Sequence, residues 1–247
     1  MELLHNKFGE LKEFGYDPAY GKFCDHTVLR AYTPYNIIKD FCDEAKKADA
    51  ASVCVNPIHV AAVHKELEGS GIMTACVIGF PLGANKTCVK ALEAAEAAKD
   101  GADELDMVIN IGALRSGDYD CVLNDIKAVV EAGKPAKVKV IIETCYLTDE
   151  EKKKAVELSI EAGAICVKTS TGMGPGGATV HDVELMRETA GDRVLVKASG
   201  GVDNRAKAYE FIKAGADRLG CSRALQIVHD DMSLDSASKH NQPPKFD

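Results

Sequence analysis

The chain lacks an excess of positive charge. Its 30 Lys and Arg stand against 38 Asp and Glu, a formal net charge of −8 over 247 residues. Sequence-independent nucleic-acid binding needs a basic footprint, so nucleic acid is excluded as a partner. One local basic pocket is still enough for a small phosphorylated molecule. The chain also lacks any CxxC: its nine cysteines are an odd number, and no two are closer than twelve residues. Several of them, such as Cys54, Cys76 and Cys166, sit inside apolar runs, where a free thiol acts as a small hydrophobe. With no signal peptide at the polar N-terminus, this predicts a reducing, cytoplasmic setting. No apolar run approaches the roughly 18 residues of a membrane span, so no membrane partner is expected. The seven histidines form no HxH or HExxH, so no metal site is expected. There is no G-x-S-x-G elbow and no P-loop. The stretch Gly172-Met-Gly-Pro-Gly-Gly177 is glycine-rich but lacks a P-loop's lysine and hydroxyl; it reads as a mobile loop.

What the chain does have is a repeat. Gly101-Ala-Asp-Glu-Leu, Gly163-Ala-Ile-Cys-Val and Gly215-Ala-Asp-Arg-Leu each follow an Ala- and Lys-rich helical segment and run into a short apolar strand. Ala51-Ser-Val-Cys-Val is a looser copy, preceded by Asp49. Glycine at that joint suits a helix C-cap, and the joint is that of a βαβ array. Eight strand candidates lie near 24–29, 51–55, 73–79, 104–110, 137–143, 164–169, 193–199 and 217–221. Helical segments lie between them, for example Lys86–Lys99, Asp149–Ala162 and Asn204–Ala214. The strands are short and apolar, as parallel strands covered on both faces should be. An open doubly wound sheet would give a similar pattern. The count of eight, the length and the polar residues at most strand ends favour an α/β fold of (β/α)8 type, a TIM barrel of about 250 residues.

The expected organisation is one domain over 1–247. Residues 1–20 carry Leu4, Phe8 and Leu11 at helical spacing and read as a short helical extension capping the barrel. Residues 231–247 are polar, contain Pro243-Pro244 and read as a loose, flexible tail.

Active sites of such barrels lie at the C-terminal ends of the strands. Two lysines stand there in unusual company: Lys168 after Ala-Ile-Cys-Val, and Lys197 after Val-Leu-Val. Each could snorkel to solvent or pair with a carboxylate. If both point inward, each disfavours the other's charge, and desolvation adds to this. An amine that loses its proton near neutral pH can attack a carbonyl and form an imine. Either lysine could be that nucleophile. Asp106, in Glu-Leu-Asp-Met-Val-Ile, is a mid-strand carboxylate that must be paired. It suits a salt bridge to a lysine and also proton transfer. Asp25 and Thr27 at strand one are substrate-binding candidates. Cys54 at strand two could touch the ligand or simply pack. Gly172, Gly200 and Gly201 read as backbone phosphate cradles, since loops after strands seven and eight often bind phosphate. Ser222 stands where a helix could begin. His59 and His64 read as helix-surface residues.

Taken in order, the motifs resemble the deoxyribose-phosphate aldolase family from about Asp25 to Arg223. The matching stretches are Asp25-His-Thr27, Ser52-Val-Cys-Val, Val77-Ile-Gly-Phe-Pro-Leu-Gly-Ala84, Ala102-Asp-Glu-Leu-Asp-Met-Val-Ile-Asn110, Val140-Ile-Ile-Glu-Thr144, Val167-Lys-Thr-Ser-Thr-Gly172, Gly176-Gly-Ala-Thr179 and Val196-Lys-Ala-Ser-Gly-Gly201. The resemblance implies reversible cleavage of 2-deoxy-D-ribose 5-phosphate to acetaldehyde and D-glyceraldehyde 3-phosphate, in deoxyribonucleotide catabolism. It makes Lys168 the Schiff-base lysine, Lys197 the lysine that tunes it, and Asp106 the proton-relay carboxylate. It aligns Thr171, Gly172, Gly200, Gly201, Gly220 and Ser222 with a phosphate pocket. It implies no cofactor, and a homodimer acting on small sugar-phosphate and aldehyde substrates. The chain departs from many relatives in carrying Ser199 for alanine and Arg223 for a small residue. Its last tyrosine is Tyr209, so the C-terminal tyrosine of some relatives is missing. Two other readings compete: a different class I sugar-phosphate aldolase or lyase on this fold, or a barrel that binds sugar phosphates without catalysis.

Overall fold

A computed structural model describes residues 3–243. Eight parallel strands close into a barrel in sequence order, β1 pairing with β8. They are β1 (Cys24–Thr27), β2 (Ser52–Val55), β3 (Met73–Ile78), β4 (Glu104–Val108), β5 (Lys137–Ile141), β6 (Cys166–Lys168), β7 (Leu195–Ser199) and β8 (Arg218–Cys221). Each strand lies inside its expected range. The helices that alternate with them are α1 (Tyr35–Ala48), α2 (Val60–Leu67), α3 (Thr87–Lys99), α4 (Ile111–Arg115), α5 (Tyr119–Ala132), α6 (Asp149–Glu161), α7 (Val180–Ala190), α8 (Arg205–Lys213), α9 (Ala224–His229) and α10 (Ala237–His240). The fold is thus a (β/α)8 barrel. No helix among the described residues is long and apolar enough to cross a membrane.

The repeated Gly-Ala joint has a conformational cause. Gly101, Gly163 and Gly215 have φ of 100°, 89° and 108°, values an L side chain rarely adopts. Each lets the chain leave its helix and enter the next strand. Asp49 performs the same turn in the looser copy, at φ 50°. The helix starts are also written locally. Asp118, Thr179 and Asn204 cap α5, α7 and α8 through their side chains. Thr148 and Glu151 close a capping box on α6.

The main apolar core lies between strands and helices and is built from Val, Ile, Leu, Phe and Ala of both layers. A second, small cluster of Cys54, Ala75 and Val77, with Leu29 and Phe80 against it, is separate from that core. It comes from β2, β3 and the segments that follow β1 and β3.

The two chain ends sharpen the expectations. The expected helical extension at the N-terminus takes the form of two 3-10 helices, Leu4–Glu10 and Pro18–Phe23. The first runs seven residues through Gly9, longer than most 3-10 helices. Leu4, Phe8 and Leu11 do pack against the core. Leu4 and Leu11 share a cavity with Ala51, Met73 and Arg218, at the starts of the strands. The tail also differs up to residue 243. Its Ala237 N–H donates to Glu44 on α1 at 2.6 Å, and its Asn241 amide donates to Thr33 at 2.9 Å. A polar segment can still be ordered when buried acceptors hold its backbone. Pro244 and the residues after it lie outside the described ones. His59 is buried at 8% exposure against Tyr35, whereas His64 is exposed.

The end of β4 is held by a buried ion pair. Lys90 of α3 donates to the Val108 carbonyl at 3.0 Å and to Asp125 of α5 at 2.6 Å. Replacing Lys90 by Met would leave Asp125 buried with only Thr87 as donor. We expect Lys90→Met to cost about 3 kcal/mol in urea unfolding. Lys90→Met combined with Asp125→Leu should recover at least about half of that. A single-variant loss below about 1 kcal/mol would mean that the pair does not hold these layers together.

Candidate active site

The barrel interior is charged where such barrels usually hold aliphatic layers. The alternation of side chains along a strand explains how. Glu104 and Asp106 share one face of β4, Lys139 stands beside them on β5, and Lys168 and Lys197 are register partners on β6 and β7. Lys197 is in turn opposite Arg218 of β8. All six are buried, as is Asp25 of β1.

Asp106 is the hub. Its Oδ2 accepts from Lys168 Nζ at 2.9 Å and from Lys197 Nζ at 2.7 Å. Its Oδ1 accepts from Lys139 Nζ at 2.9 Å. Asp25 sits on the other side of Lys197, at 2.5 Å through Oδ2. Its Oδ1 accepts from Ser52 at 2.8 Å and from the Arg218 guanidinium. Arg218 also reaches Glu104, which meets Lys139 at 2.5 Å. Gly220 makes room for this packing: a Cβ there would lie 2.5 Å from Ser199 Oγ and 3.4 Å from Lys197 Cε.

Burial raises the proton affinity of Asp106, but Lys139, Lys168 and Lys197 outweigh it and hold the carboxyl well below the usual range. Asp25 is lowered in the same way: burial opposes, and Arg218, Lys197 and Lys139 prevail. For Lys197, burial disfavours the charge, yet Asp106 and Asp25 push its proton affinity well above the ordinary value. Lys139 is raised against burial by Asp106, Glu104 and Asp25. The cluster holds four potential cations, Lys139, Lys168, Lys197 and Arg218, against the three carboxylates Asp25, Glu104 and Asp106. One positive charge is therefore in excess, and it vanishes if one lysine is neutral. Lys168 has the fewest anionic contacts: Asp106 Oδ2 is its one ion-pair partner among the described residues, and it shares that oxygen with Lys197.

Above the network, at the C-terminal ends of the strands, lies a cavity of about 380 Å³. Thr27, Thr171, Gly172, Gly200, Gly201, Gly220 and Ser222 all line it. The structure thus brings together every one of the expected phosphate-pocket residues. Asp25 lies deeper, within the charge network. Cys54 is fully buried in the small cluster on β2 and β3, and burial pushes its thiol up to about 11. Thr27 Oγ1 donates to the Asp25 carbonyl at 2.8 Å. Thr171 differs from expectation in one respect: its N–H and its hydroxyl both donate to Glu143. The glycine-rich loop 172–177 packs back on β7, because a Cβ on Gly177 would lie 2.3 Å from the Gly200 carbonyl oxygen.

Sequence reasoning missed several members. Lys139, Glu104 and Arg218 complete the network, and the signal for the first two was the period-two placement of charge in Lys137-Val-Lys139 and Glu104-Leu-Asp106. Arg30 was also missed; with Arg223, which the sequence had singled out, it brings positive charge to the cavity wall. Ser238, Asn241 and Gln242 of the tail also line it, and nothing in the local sequence signals that.

The sequence profile described as DeoC/LacD family aldolase matches residues 22–222. A protein of Finegoldia magna called deoxyribose-phosphate aldolase is 55% identical over 207 residues, covering 84% of this chain and 97% of its own length. Another of that name from Carboxydothermus hydrogenoformans is 56% identical over 208 residues, covering 83% and 91%. Among solved structures, a putative deoxyribose-phosphate aldolase from Coccidioides immitis superposes with a TM-score of 0.84 at 37% identity, over 92% of this chain and 94% of its own. A deoxyribose phosphate aldolase from Aeropyrum pernix, described as a unique tetramer, superposes with a TM-score of 0.82 at 28% identity, over 92% and 95%. With its charged barrel interior and the profile spanning all eight strands, the chain belongs to the DeoC/LacD family of aldolases.

Proposed function

We propose that this aldolase cleaves 2-deoxy-D-ribose 5-phosphate reversibly to acetaldehyde and D-glyceraldehyde 3-phosphate through a Schiff base on Lys168, in deoxyribonucleotide catabolism in the cytoplasm. The observation that carries the reading is the Asp106 carboxylate shared by two buried lysines on adjacent strands. Lys197 is gripped by two carboxylates and remains an ammonium. Lys168 shares only one of them, and in its neutral form it attacks the C1 aldehyde of the open-chain sugar. The iminium then acts as an electron sink. Asp106, directly or through water, accepts the C3 hydroxyl proton as the C2–C3 bond breaks. The resulting enamine is protonated and hydrolysed, which frees acetaldehyde and Lys168. The cavity ringed by glycine backbone, Ser222 and Arg223 suits the phosphate and holds C1 over the lysines. The relatives' names support the substrate, and the Aeropyrum pernix tetramer supports a homo-oligomer, for which we propose a homodimer. Light scattering on the eluted protein checks that state.

Borohydride reduction in the presence of acetaldehyde should leave a two-carbon adduct on Lys168 by peptide mapping, and none in Lys168→Leu. An adduct on Lys197 would reverse the two roles. No adduct on either, in folded protein, would leave a sugar-phosphate-binding barrel as the better reading.

Asp106→Asn should lower kcat by about 10²-fold or more while acetaldehyde trapping persists. The same variant tests the charge network. Because the Asp106 carboxyl is held low in the folded state, it contributes stability above its unfolded value near 3.9, and that contribution is lost as the pH falls toward the folded value. Unfolding free energy should therefore decline less steeply in Asp106→Asn than in the native chain between about pH 4 and 2. Equal slopes would sink the assignment.

Arg223→Ala should raise KM for the phosphorylated sugar about tenfold, with kcat changed much less. An unchanged KM would remove Arg223 from the phosphate site.

A further inference from the structure

Outside the lysine network, one buried carboxylate stands at the end of a barrel strand with no cation recorded against it among the described residues. Glu143 follows β5 and is 2% exposed. Among the described residues it has no ion-pair partner; its recorded partners are Thr171 and Cys145. Its backbone stands at φ 54°, ψ 68°, the left-handed region. Burying a carboxylate without a cation is unfavourable. Holding a residue other than glycine in that backbone region is unfavourable as well. Both burdens fall on one residue at the C-terminal end of a barrel strand, where this fold keeps its chemistry.

The contacts show what the residue does. Its two oxygens accept the Thr171 N–H at 3.2 and 3.3 Å, and Oε2 also accepts the Thr171 hydroxyl. Thr171 Oγ1 accepts the Met173 N–H in turn, at 3.0 Å. Glu143 thereby orients the whole turn from Thr171 to Met173. The residues on either side of Glu143 fix its own position. The Ile142 N–H donates to the Lys168 carbonyl at 3.0 Å, and the Thr144 N–H to the Thr169 carbonyl at 2.9 Å. Thr171, Gly172 and Met173 form part of the cavity wall together with Gly200, Gly201 and Ser222. Glu143 is not on that wall, and as an anion it would repel a phosphate. Its oxygens are engaged by Thr171, so it is not placed to act as a base.

We propose that Glu143 is a positioning residue that sets the selectivity of the site for phosphorylated sugars, by holding the Thr171–Met173 turn in the shape that receives the phosphate. The inference rests on the reading of this cavity as the phosphate site. It predicts that Glu143 matters for the phosphate end of the substrate and little for imine chemistry at Lys168.

The test compares 2-deoxyribose 5-phosphate with unphosphorylated 2-deoxyribose in the full chain, alongside borohydride trapping with acetaldehyde. In Glu143→Ala the ratio of kcat/KM for the two sugars should fall at least about tenfold, carried by KM for the phosphorylated one. Glu143→Gln keeps one acceptor oxygen and should lie between. Thr171→Val keeps the N–H and the branching but loses the hydroxyl, so its ratio should fall too. Combined with Glu143→Ala it should add little, because the two residues act as a unit. If Glu143→Ala does not fold, Glu143→Gln and Thr171→Val carry the test. A fall of equal size with both sugars, or an unmoved ratio in variants that still trap acetaldehyde, overturns the role of Glu143. A native chain that traps no acetaldehyde, or does not prefer the phosphorylated sugar, sinks the functional reading and this inference with it.

Discussion

Three lysines occupy the interior of one barrel because Asp106 lies among them. A buried ammonium is tolerated only with a carboxylate in contact, and Asp106 meets Lys139, Lys168 and Lys197 with its two oxygens. The remaining groups follow from this constraint. Asp25 provides Lys197 with a second anion, Glu104 does so for Lys139, and Arg218 balances both carboxylates from β8. With all groups ionised, the three lysines and Arg218 exceed the three carboxylates by one positive charge.

Such a network adds little net stability, since desolvation offsets most of the attraction. Stability has to come from elsewhere, and the division of the core shows where. The large apolar cluster lies outside the strands, under the helices, so the interior is free to hold charge. The small cluster of Cys54, Ala75 and Val77 lies on β2 and β3. Of these two strands, β2 contributes only Ser52 to the charge network and β3 contributes nothing. The charged interior therefore has an apolar flank on β2 and β3. The loops above are held by close backbone contact, as between Gly177 and Gly200, and by Glu143, which anchors the turn after β6 to the strand beside it.

The fold was legible because its signals are local. Short runs of Val and Ile, the glycine at each helix end and the capping residues are all written within a few positions. The site was legible in part. Lys168, Lys197 and Asp106 stand out as charges inside apolar strands. Glu104, Lys139 and Arg218 carry the same signal more faintly, since each lies near a strand's polar beginning, where a surface location is the ordinary reading. The N-terminal extension was legible as helical but not as 3-10, because apolar spacing of three and four fits either a 3-10 turn or an α-helix over so few residues. The tail looked loose because its own sequence is polar; its order comes from acceptors on α1 and beside it, nearly 200 residues away in the chain.

The sequence by itself determined that eight strands alternate with helices, and it marked Asp106, Lys168 and Lys197 as charges set within apolar strands, because propensity and period act over neighbouring residues. Only the tertiary structure decided that Asp106 would touch three lysines from three other strands. It also decided that Lys197 would have two carboxylates and Lys168 a share of one, and that the tail would wall the cavity. These are matters of barrel register and closure, which bring together groups as distant in the chain as Asp25 and Arg218, 193 positions apart; no local pattern encodes the distance between them.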